Sequence, residues 1–426
     1  MLSDAWIGID LGTSGCRAVV INAQDNIVAQ QHLSFPPSVS TAPASEQNPQ
    51  QQWQYVKQLL LSLLADLKNF RIRAISVDAT SGSILLTDKQ GRPLTPLLMY
   101  DDARAKQQAE MIGKVAAADS AAHGVSSGLA KLLYLQQQTE LPTDYQLMHQ
   151  ADWILFKLGA ELGVTDYNNA LKTGFDPVQL QWPSWLDTLI DTNCLPRVVS
   201  PGTVIGNLIP ELQAELRLTY SPELIAGTTD SIAALLATGA SKTGEAVTSL
   251  GSTLVLKLIA DRPVYQPEHG IYSHKLGALW LTGGASNTGG AVLRHFFSDD
   301  ELSHLSQQID LNQTPPTYYP LLTAGERFPF NNPQLEPLLS PRPANDAAFL
   351  HGLLTAMADI EMQGYHLLTA LAGCELKSVR TTGGGAENKI WQCIRQQKLK
   401  VPLLELTQTE AAFGTALLAK DKLKNY

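Results

Sequence analysis

Four short stretches of the chain combine residue types able to handle a phosphorylated ligand. In the first, Asp10 stands two residues ahead of the turn Gly12-Thr13-Ser14-Gly15, between the apolar strand-like runs WIGIDLG and CRAVVIN. Glycine and hydroxyl residues at a tight turn leave backbone N–H groups uncovered, and such a nest can hold phosphate oxygens. A second hairpin repeats the plan near residue 250: TSLGSTL carries Gly251 and Ser252 before LVLKLI. Glycine is also the ordinary turn residue, so neither hairpin decides the matter alone. Two together, each opening an α/β half of the chain, point to a polyphosphate held from both sides. Beside a polyphosphate the Asp10 carboxylate would repel, unless a cation lay between; Mg²⁺ takes a few carboxylates, phosphate oxygens and water. A turn-capping Asp is the plainer alternative.

The third stretch is GTTDSIAALLATGA, in which Thr228 and Thr229 are N-cap candidates and Asp230 falls in the first turn of an apolar helix. The helix dipole favours an ionised acid there, which suits a general base and equally suits a cap. The fourth is RTTGGGAENKIWQCIRQQKLKVP. Here Gly384 and Gly385 allow close approach of a flat ligand, and Asn388 can hydrogen-bond ring or ribose atoms. A strand–helix turn over a buried Trp391 would read the same way.

The elements that must position these residues alternate between strand and helix. Three strand-like runs open the chain, a helical pattern follows in QQQWQYVKQLLLSLLADLKNF, and IRAISVDA leads into TSGS and ILLTD. Helical periodicity then dominates, in ARAKQQAEMIGKVAAA and GLAKLLYLQQQ. A second β-rich section follows at EAVTSLGSTLVLKLIA, and helices return in DAAFLHGLLTAMADIEMQGYHLLTAL and TEAAFGTALLAKDKL. Residues 331–345 read as a polar, proline-rich surface loop. The class is α/β. With 426 residues the chain is too long for one ordinary core, and two large domains are expected.

Lys plus Arg is 31 against 40 Asp plus Glu, a formal charge of −9, which makes a poor non-specific nucleic-acid binder. Cys16, Cys194, Cys374 and Cys393 are scattered without CxxC spacing, so reduced thiols in a cytoplasmic protein are expected. The opening MLSDAWIGIDLG lacks a basic signal-peptide region, and no apolar run approaches the ~20 residues of a membrane span.

Taken together, the four segments resemble the FGGY carbohydrate kinases, within the superfamily of sugar kinases, Hsp70 and actin. DLGTSGCR is similar to the family's first phosphate motif. GTTD and SLGSTL are similar to its catalytic-acid and second phosphate segments, and TTGGGAENKIWQCIRQQKLKVPLLELTQTEAAFGTALLA to its adenosine motif and last helix. The stretch ISVDATSGSILLTDKQGRPLTPLLMYDDAR is similar to the substrate side.

The resemblance implies a two-lobed, actin-like ATPase (ribonuclease H-like) fold with a central cleft. Residues 1–237 and 411–426 would form the sugar-binding lobe, and 238–410 the nucleotide-binding lobe. It implies ATP and Mg²⁺, with Asp230 as the base. Asp10 would lie near both Mg²⁺ and the sugar. Thr13, Ser14, Gly251 and Ser252, with Gly12, would meet phosphates, and Gly384, Gly385 and Asn388 the adenosine. Ser81, Asp102 and Arg104 would line the sugar pocket. No nucleic-acid or membrane partner is implied, and the oligomeric state is left open.

Xylulokinases of the family carry histidine at the place of Ser81 and usually Trp at that of Tyr100, and their chains are longer. The shorter chain, VDATSG and YDDAR are more similar to the small ribulokinase-like enzymes, which favours D-ribulose over D-xylulose or a polyol. An actin- or Hsp70-like ATPase acting on a partner is the alternative from another class; it would not need GTTD or VDATSG.

Overall fold

The computed structural model describes residues 2–36, 41–65 and 67–424. The chain divides into two compact units. One runs from the amino terminus to Gly239 and takes in the segment beginning at Gln408; the other spans Ala240–Thr407. Residues 1, 425 and 426, at the ends of the expected sugar-binding lobe, lie outside the described residues.

In the first unit, β1 (Ser3–Leu11), β2 (Gly15–Asn22) and β3 (Ile27–Ser34) form the expected meander. A short strand β4 (Glu46–Gln47) leads into α1 (Pro49–Leu64), capped by Asn48 and burying Trp53, Val56, Leu59, Leu60 and Leu63 at helical spacing. Next come β5 (Phe70–Ala79), β6 (Ile84–Thr87) and β7 (Leu97–Leu98). Helices α2 (Lys106–Gly113) and α3 (Gly128–Gln138), β8 (Gln146–His149) and α4 (Gln150–Leu158) follow. β9 (Val164–Asp166), α5 (Tyr167–Ala170), β10 (Arg197–Val199), β11 (Val204–Asn207) and α6 (Pro210–Glu215) lead to β12 (Glu223–Thr229) and α7 (Asp230–Thr238).

The main sheet has the order β11-β12-β5-β1-β2-β3, with β1, β5 and β12 mutually parallel; a smaller sheet has the order β4-β7-β6-β8. The helical pattern expected from ARAKQQAEMIGKVAAA is cut to α2. At its start, the Arg104 N–H is held by Asp102 Oδ1 at 3.2 Å, and Gly113 ends it.

In the second unit, β13 (Glu245–Leu250) and β14 (Leu254–Ala260) form the second hairpin. β15 (Tyr272–Leu276), β16 (Leu279–Ser286), α8 (Gly290–Phe296) and α9 (Asp299–Ser306) follow, then the long α10 (Asp346–Ala372), β17 (Ser378–Thr382), α11 (Lys389–Leu399) and β18 (Leu403–Leu404). The sheet order is β15-β16-β14-β13-β17-β18, with β13 antiparallel to β14 and parallel to β17. Each unit thus opens on a hairpin whose first strand also pairs in parallel with a later strand. A buried network ties the helices to this sheet. Arg395 on α11 donates to both oxygens of Glu361 on α10 at 2.6 and 2.7 Å and to Thr381 Oγ1 at 2.8 Å, and Thr248 on β13 donates to Glu361.

The last helix, α12 (Ala411–Asp421), packs on β1, β2, β5 and α7 of the first unit. It lies so close that a Cβ on Gly8 of β1 would overlap the backbone of Ala412 and Ala416, and one on Gly414 would overlap Ala233 of α7.

Candidate active site

The parallel strands β1, β5 and β12 end side by side, and their register sets three carboxylates together. Asp10 pairs with Asp78, Asp78 pairs with Thr228, and Asp230 opens the helix that follows β12. Asp78 is fully buried, and Thr415 Oγ1 on α12 donates to its Oδ2. Its Oδ1 receives no donor from the protein, so as a carboxylate it would be orphaned. Burial pushes Asp78 well above the usual carboxylate range, and the neighbouring Asp10 charge raises it further. Both influences favour the protonated form of Asp78, the form able to donate to Asp10. Asp10 is also raised, first by burial and then by the Asp230 charge, while the hydrogen bond from Asp78 and the charge of Arg17 oppose the rise.

Asp230 Oδ1 accepts the Ser231 N–H at 2.6 Å. Of the two expected caps, Thr229 occupies the N-cap position of α7 but makes no side-chain cap bond, and its Oγ1 is buried without a partner. Thr228 Oγ1 accepts instead from Asn168 Nδ2 at 3.1 Å.

After β5 the chain turns through Thr80-Ser81-Gly82-Ser83. Ser81 Oγ is buried without a hydrogen-bond partner, as is Asn168 Oδ1. Two lysines reach this turn: Lys131 Nζ donates to Gly82 O at 2.8 Å, and Lys172 Nζ stands 3.5 Å from Ser81 O. Burial pulls the Lys172 ammonium below the usual lysine range, against the charge of Asp230. Orphaned buried polar atoms cost free energy unless a ligand or water satisfies them. Ser81 Oγ, Asn168 Oδ1 and Thr229 Oγ1, in segments that also carry Lys172 and Asp230, are groups suited to hydrogen-bonding a polyhydroxylated molecule.

Asp102 lies fully buried and takes the Ser45 N–H at 2.9 Å and Arg104 Nη2 at 2.8 Å. Arg104 also pairs with Glu46 at 2.5 Å and lies over the Tyr134 ring. Asp102 thus aims Arg104, leaving the guanidinium as the group of the two that can meet a ligand.

At the first hairpin the Gly12 N–H donates to Gly15 O at 3.0 Å, and the Thr13 and Ser14 side chains are exposed. At the second, Gly251 O accepts the Gly290 N–H at 2.8 Å and Ser252 Oγ accepts from Arg294 Nη2 at 2.9 Å. The three glycines after β17 differ. A Cβ on Gly384 would meet nothing within 4 Å, whereas one on Gly385 would strike Trp391 and Leu250. Asn388 caps α11, accepting the Trp391 N–H at 3.0 Å, and donates to Ser306 Oγ at 2.8 Å. Its amide is therefore engaged in shaping the turn.

Sequence reasoning named neither Asp78, Lys172, Lys131 nor Thr415. The available signal was an acid inside the apolar strand ISVDA. A cavity of about 370 Å³ elsewhere in the first unit, bordered by Leu61, Phe70, Arg71, Leu216 and Tyr220, holds none of these residues.

An α/β fold with strand-end carboxylates beside a Gly-Thr-Ser hairpin is an arrangement suited to phosphoryl transfer. The N-terminal domain model of the FGGY family of carbohydrate kinases matches residues 5–237, the C-terminal domain model matches residues 246–420, and the chain belongs to this family.

Among curated proteins it is similar to the xylulose kinase of Escherichia coli, at 26% identity over 91% of this chain and 83% of that one. It is also similar to the gluconokinase of Bacillus subtilis, at 24% identity over 92% and 82%. Among solved structures, a glycerol kinase from Plasmodium falciparum with ADP superposes with TM-score 0.86 at 17% identity over 100% of this chain and 90% of that one. A xylulose kinase from Rhodospirillum rubrum gives 0.84 at 21% identity over 98% and 90%. The fold is that of the actin-like ATPases, and the protein is a carbohydrate kinase that uses ATP.

Proposed function

We propose that the enzyme transfers the γ-phosphoryl group of ATP to a hydroxyl of a ketopentose, D-ribulose ahead of D-xylulose. The observation that supports the pocket assignment is that Ser81 Oγ, Asn168 Oδ1 and Thr229 Oγ1, in the segments that carry Lys172 and Asp230, are buried without partners. Asp230 takes the hydroxyl proton as the sugar oxygen forms its bond to the γ-phosphorus; the bond to the β-phosphate oxygen breaks and ADP leaves. Ser81, Lys172 and Arg104 orient the sugar. Gly12, Thr13 and Ser14 in one unit, and Gly251 and Ser252 in the other, offer N–H and hydroxyl donors to phosphates. Gly384 and Gly385 form the adenosine turn, shaped by Asn388.

Asp10 fits the role of Mg²⁺ ligand. It is a half-buried carboxylate raised by its own desolvation and by the Asp230 charge, a surplus of negative charge that a cation would relieve. When bound, Mg²⁺ supplies charge neutralisation on the transferred phosphoryl. The proposed setting is the cytoplasm, where ATP is available; no described helix is long and apolar enough to cross a membrane.

A short hydroxyl at Ser81 differs in reach from an imidazole and so sets the site apart from the xylulokinases; the direction toward D-ribulose comes from the resemblance to the small ribulokinase-like enzymes. The names of the xylulose kinase relatives favour D-xylulose as the second reading. The test is kcat/KM for both pentuloses at saturating Mg-ATP, with gluconate and glycerol alongside. A tenfold or greater preference for D-ribulose is expected. A clear preference for D-xylulose overturns the substrate assignment and leaves the kinase reading standing.

A further inference from the structure

Three glutamine side chains link the substrate turn to the phosphate hairpin of the first unit. Thr80 Oγ1 donates to Gln150 Oε1 at 2.9 Å, Gln150 Nε2 to Gln52 Oε1 at 3.1 Å, Gln52 Nε2 to Gln47 Oε1 at 2.5 Å, and Gln47 Nε2 to Thr13 O at 2.8 Å. The far end continues to Ser83 Oγ, 2.6 Å from Thr80 Oγ1. Because Thr80 gives its own proton to Gln150, Ser83 is the donor of that pair.

The direction of the whole chain is fixed at one point. Thr13 O is a backbone carbonyl and can only accept, so Gln47 must present its NH₂ group there. Its Oε1 then faces Gln52, which must present NH₂ in turn, and the same constraint passes through Gln150 to Thr80. Every link therefore points the same way, the arrangement in which hydrogen bonds polarise one another. Gln52, Gln150, Thr80 and Ser83 are buried. Burying amides costs free energy that apolar residues of the same size would not cost. The three glutamines come from separate elements: Gln47 from β4, Gln52 from the first turns of α1, and Gln150 from the start of α4. They meet only on the path between the two turns.

We propose that Gln47, Gln52 and Gln150 are positioning residues that couple sugar binding at the Thr80–Ser83 turn to phosphate binding at the Gly12–Gly15 hairpin, so that sugar and nucleotide bind with positive cooperativity. A sugar that fixes Ser81 also fixes Thr80, and through the chain it fixes the Thr13 carbonyl and the N–H groups beside it. By linkage, nucleotide must tighten sugar by the same factor. The inference rests on the kinase reading and on the assignment of these two turns.

The test uses the full-length enzyme and calorimetry with the Mg complex of a β,γ-imido analogue of ATP, with and without saturating D-ribulose, or D-xylulose if that is the pentulose turned over. In the wild type the sugar should tighten the analogue by a factor in the range of about 5 to 150. Gln47→Glu keeps the shape and the acceptor for Gln52 but removes the donor to Thr13 O, and its half-exposed site spares the fold. The new carboxylate beside the phosphate hairpin weakens the analogue with and without sugar alike, so the coupling is read from the ratio of the two affinities in the variant; that factor should fall to about 1–2. Gln52→Met, which cuts two links at once, should do the same, with a melting curve recorded beside it to separate loss of folding from loss of coupling. A wild type without coupling, or a Gln47→Glu variant that keeps the wild-type factor, overturns the inference while the kinase reading stands. A wild type that phosphorylates no sugar overturns both.

Discussion

The lysine beneath the substrate turn makes a sharp thermodynamic prediction. Lys131 is fully buried, and its Nζ donates to Gly82 O at 2.8 Å. Desolvation is the largest influence on its ammonium, opposed by Asp102 and Asp101 and reinforced by Lys172, and it moves the group from 10.5 to about 7. Between those values the unfolded chain binds the proton and the folded chain does not. Stability therefore rises with pH across that window, by up to about 1.4 kcal/mol per pH unit and on the order of 4–5 kcal/mol in all. Below the folded value both states are charged, the slope vanishes, and the cost of the buried ammonium is paid in full.

Lys131→Met keeps most of the stem and removes the charge. It leaves Gly82 O without its donor, a loss of about 1–3 kcal/mol that does not depend on pH. The assay is urea unfolding of wild type and variant from about pH 6.5 to about pH 9.5, comparing free energies at each pH. The wild type should gain about 3 kcal/mol on the variant across that range. Two parallel curves, separated by a constant offset alone, would refute the reasoning and mean that water or a neighbouring carboxylate keeps Lys131 charged.

Three further outcomes are expected. Asp230→Asn should cut turnover by roughly 10²–10⁴-fold while nucleotide affinity by calorimetry stays near wild type; near-normal turnover would reduce Asp230 to a helix-terminal acid. Gly384→Val should weaken ATP binding about tenfold or more without lowering the melting temperature, since no described residue lies within 4 Å of its Cβ position, whereas Gly385→Ala should destabilise the second unit through Trp391. Arg395→Met leaves Glu361 buried and unpaired and should cost about 3–5 kcal/mol in denaturant unfolding; a loss below about 1 kcal/mol would show that the network is dispensable.

The residues legible in the sequence are those whose chemistry shows in their nearest neighbours. Asp10 before Gly-Thr-Ser-Gly, Asp230 after Gly-Thr-Thr, and the two hairpins each announce themselves within a handful of residues, because a turn is a local object. The helix α1 was legible for the same reason, through the spacing of Trp53, Val56, Leu59, Leu60 and Leu63. Asp78, Lys172 and the three glutamines act only across distances set by sheet order. Nothing local says that β5 lies between β1 and β12, so nothing local says that Asp78 lies between Asp10 and Thr228. Asn388 and Asp102 show the reverse limit: polar residues placed at the site by motif spend their hydrogen bonds on a cap and on a neighbouring arginine.

Parallel pairing of β1, β5 and β12 also explains why the neutral form of one of the three acids is favoured. Register puts Asp78 between Asp10 and Asp230, and α12 closes over it with the Thr415 hydroxyl. Three carboxylates in a desolvated space cannot all ionise, and the one with the least access to water gives way first. That is Asp78, sealed by a helix whose Gly414 and whose partner Gly8 on β1 permit the close approach. In its protonated form Asp78 can donate to Asp10, an interaction that opposes the rise of the Asp10 carboxyl. Asp10 stands half-buried ahead of a hairpin whose exposed Thr13 and Ser14 hydroxyls suit phosphate. An ionised Asp10 beside a bound phosphate would be relieved by a cation, a role that Mg²⁺ would fill.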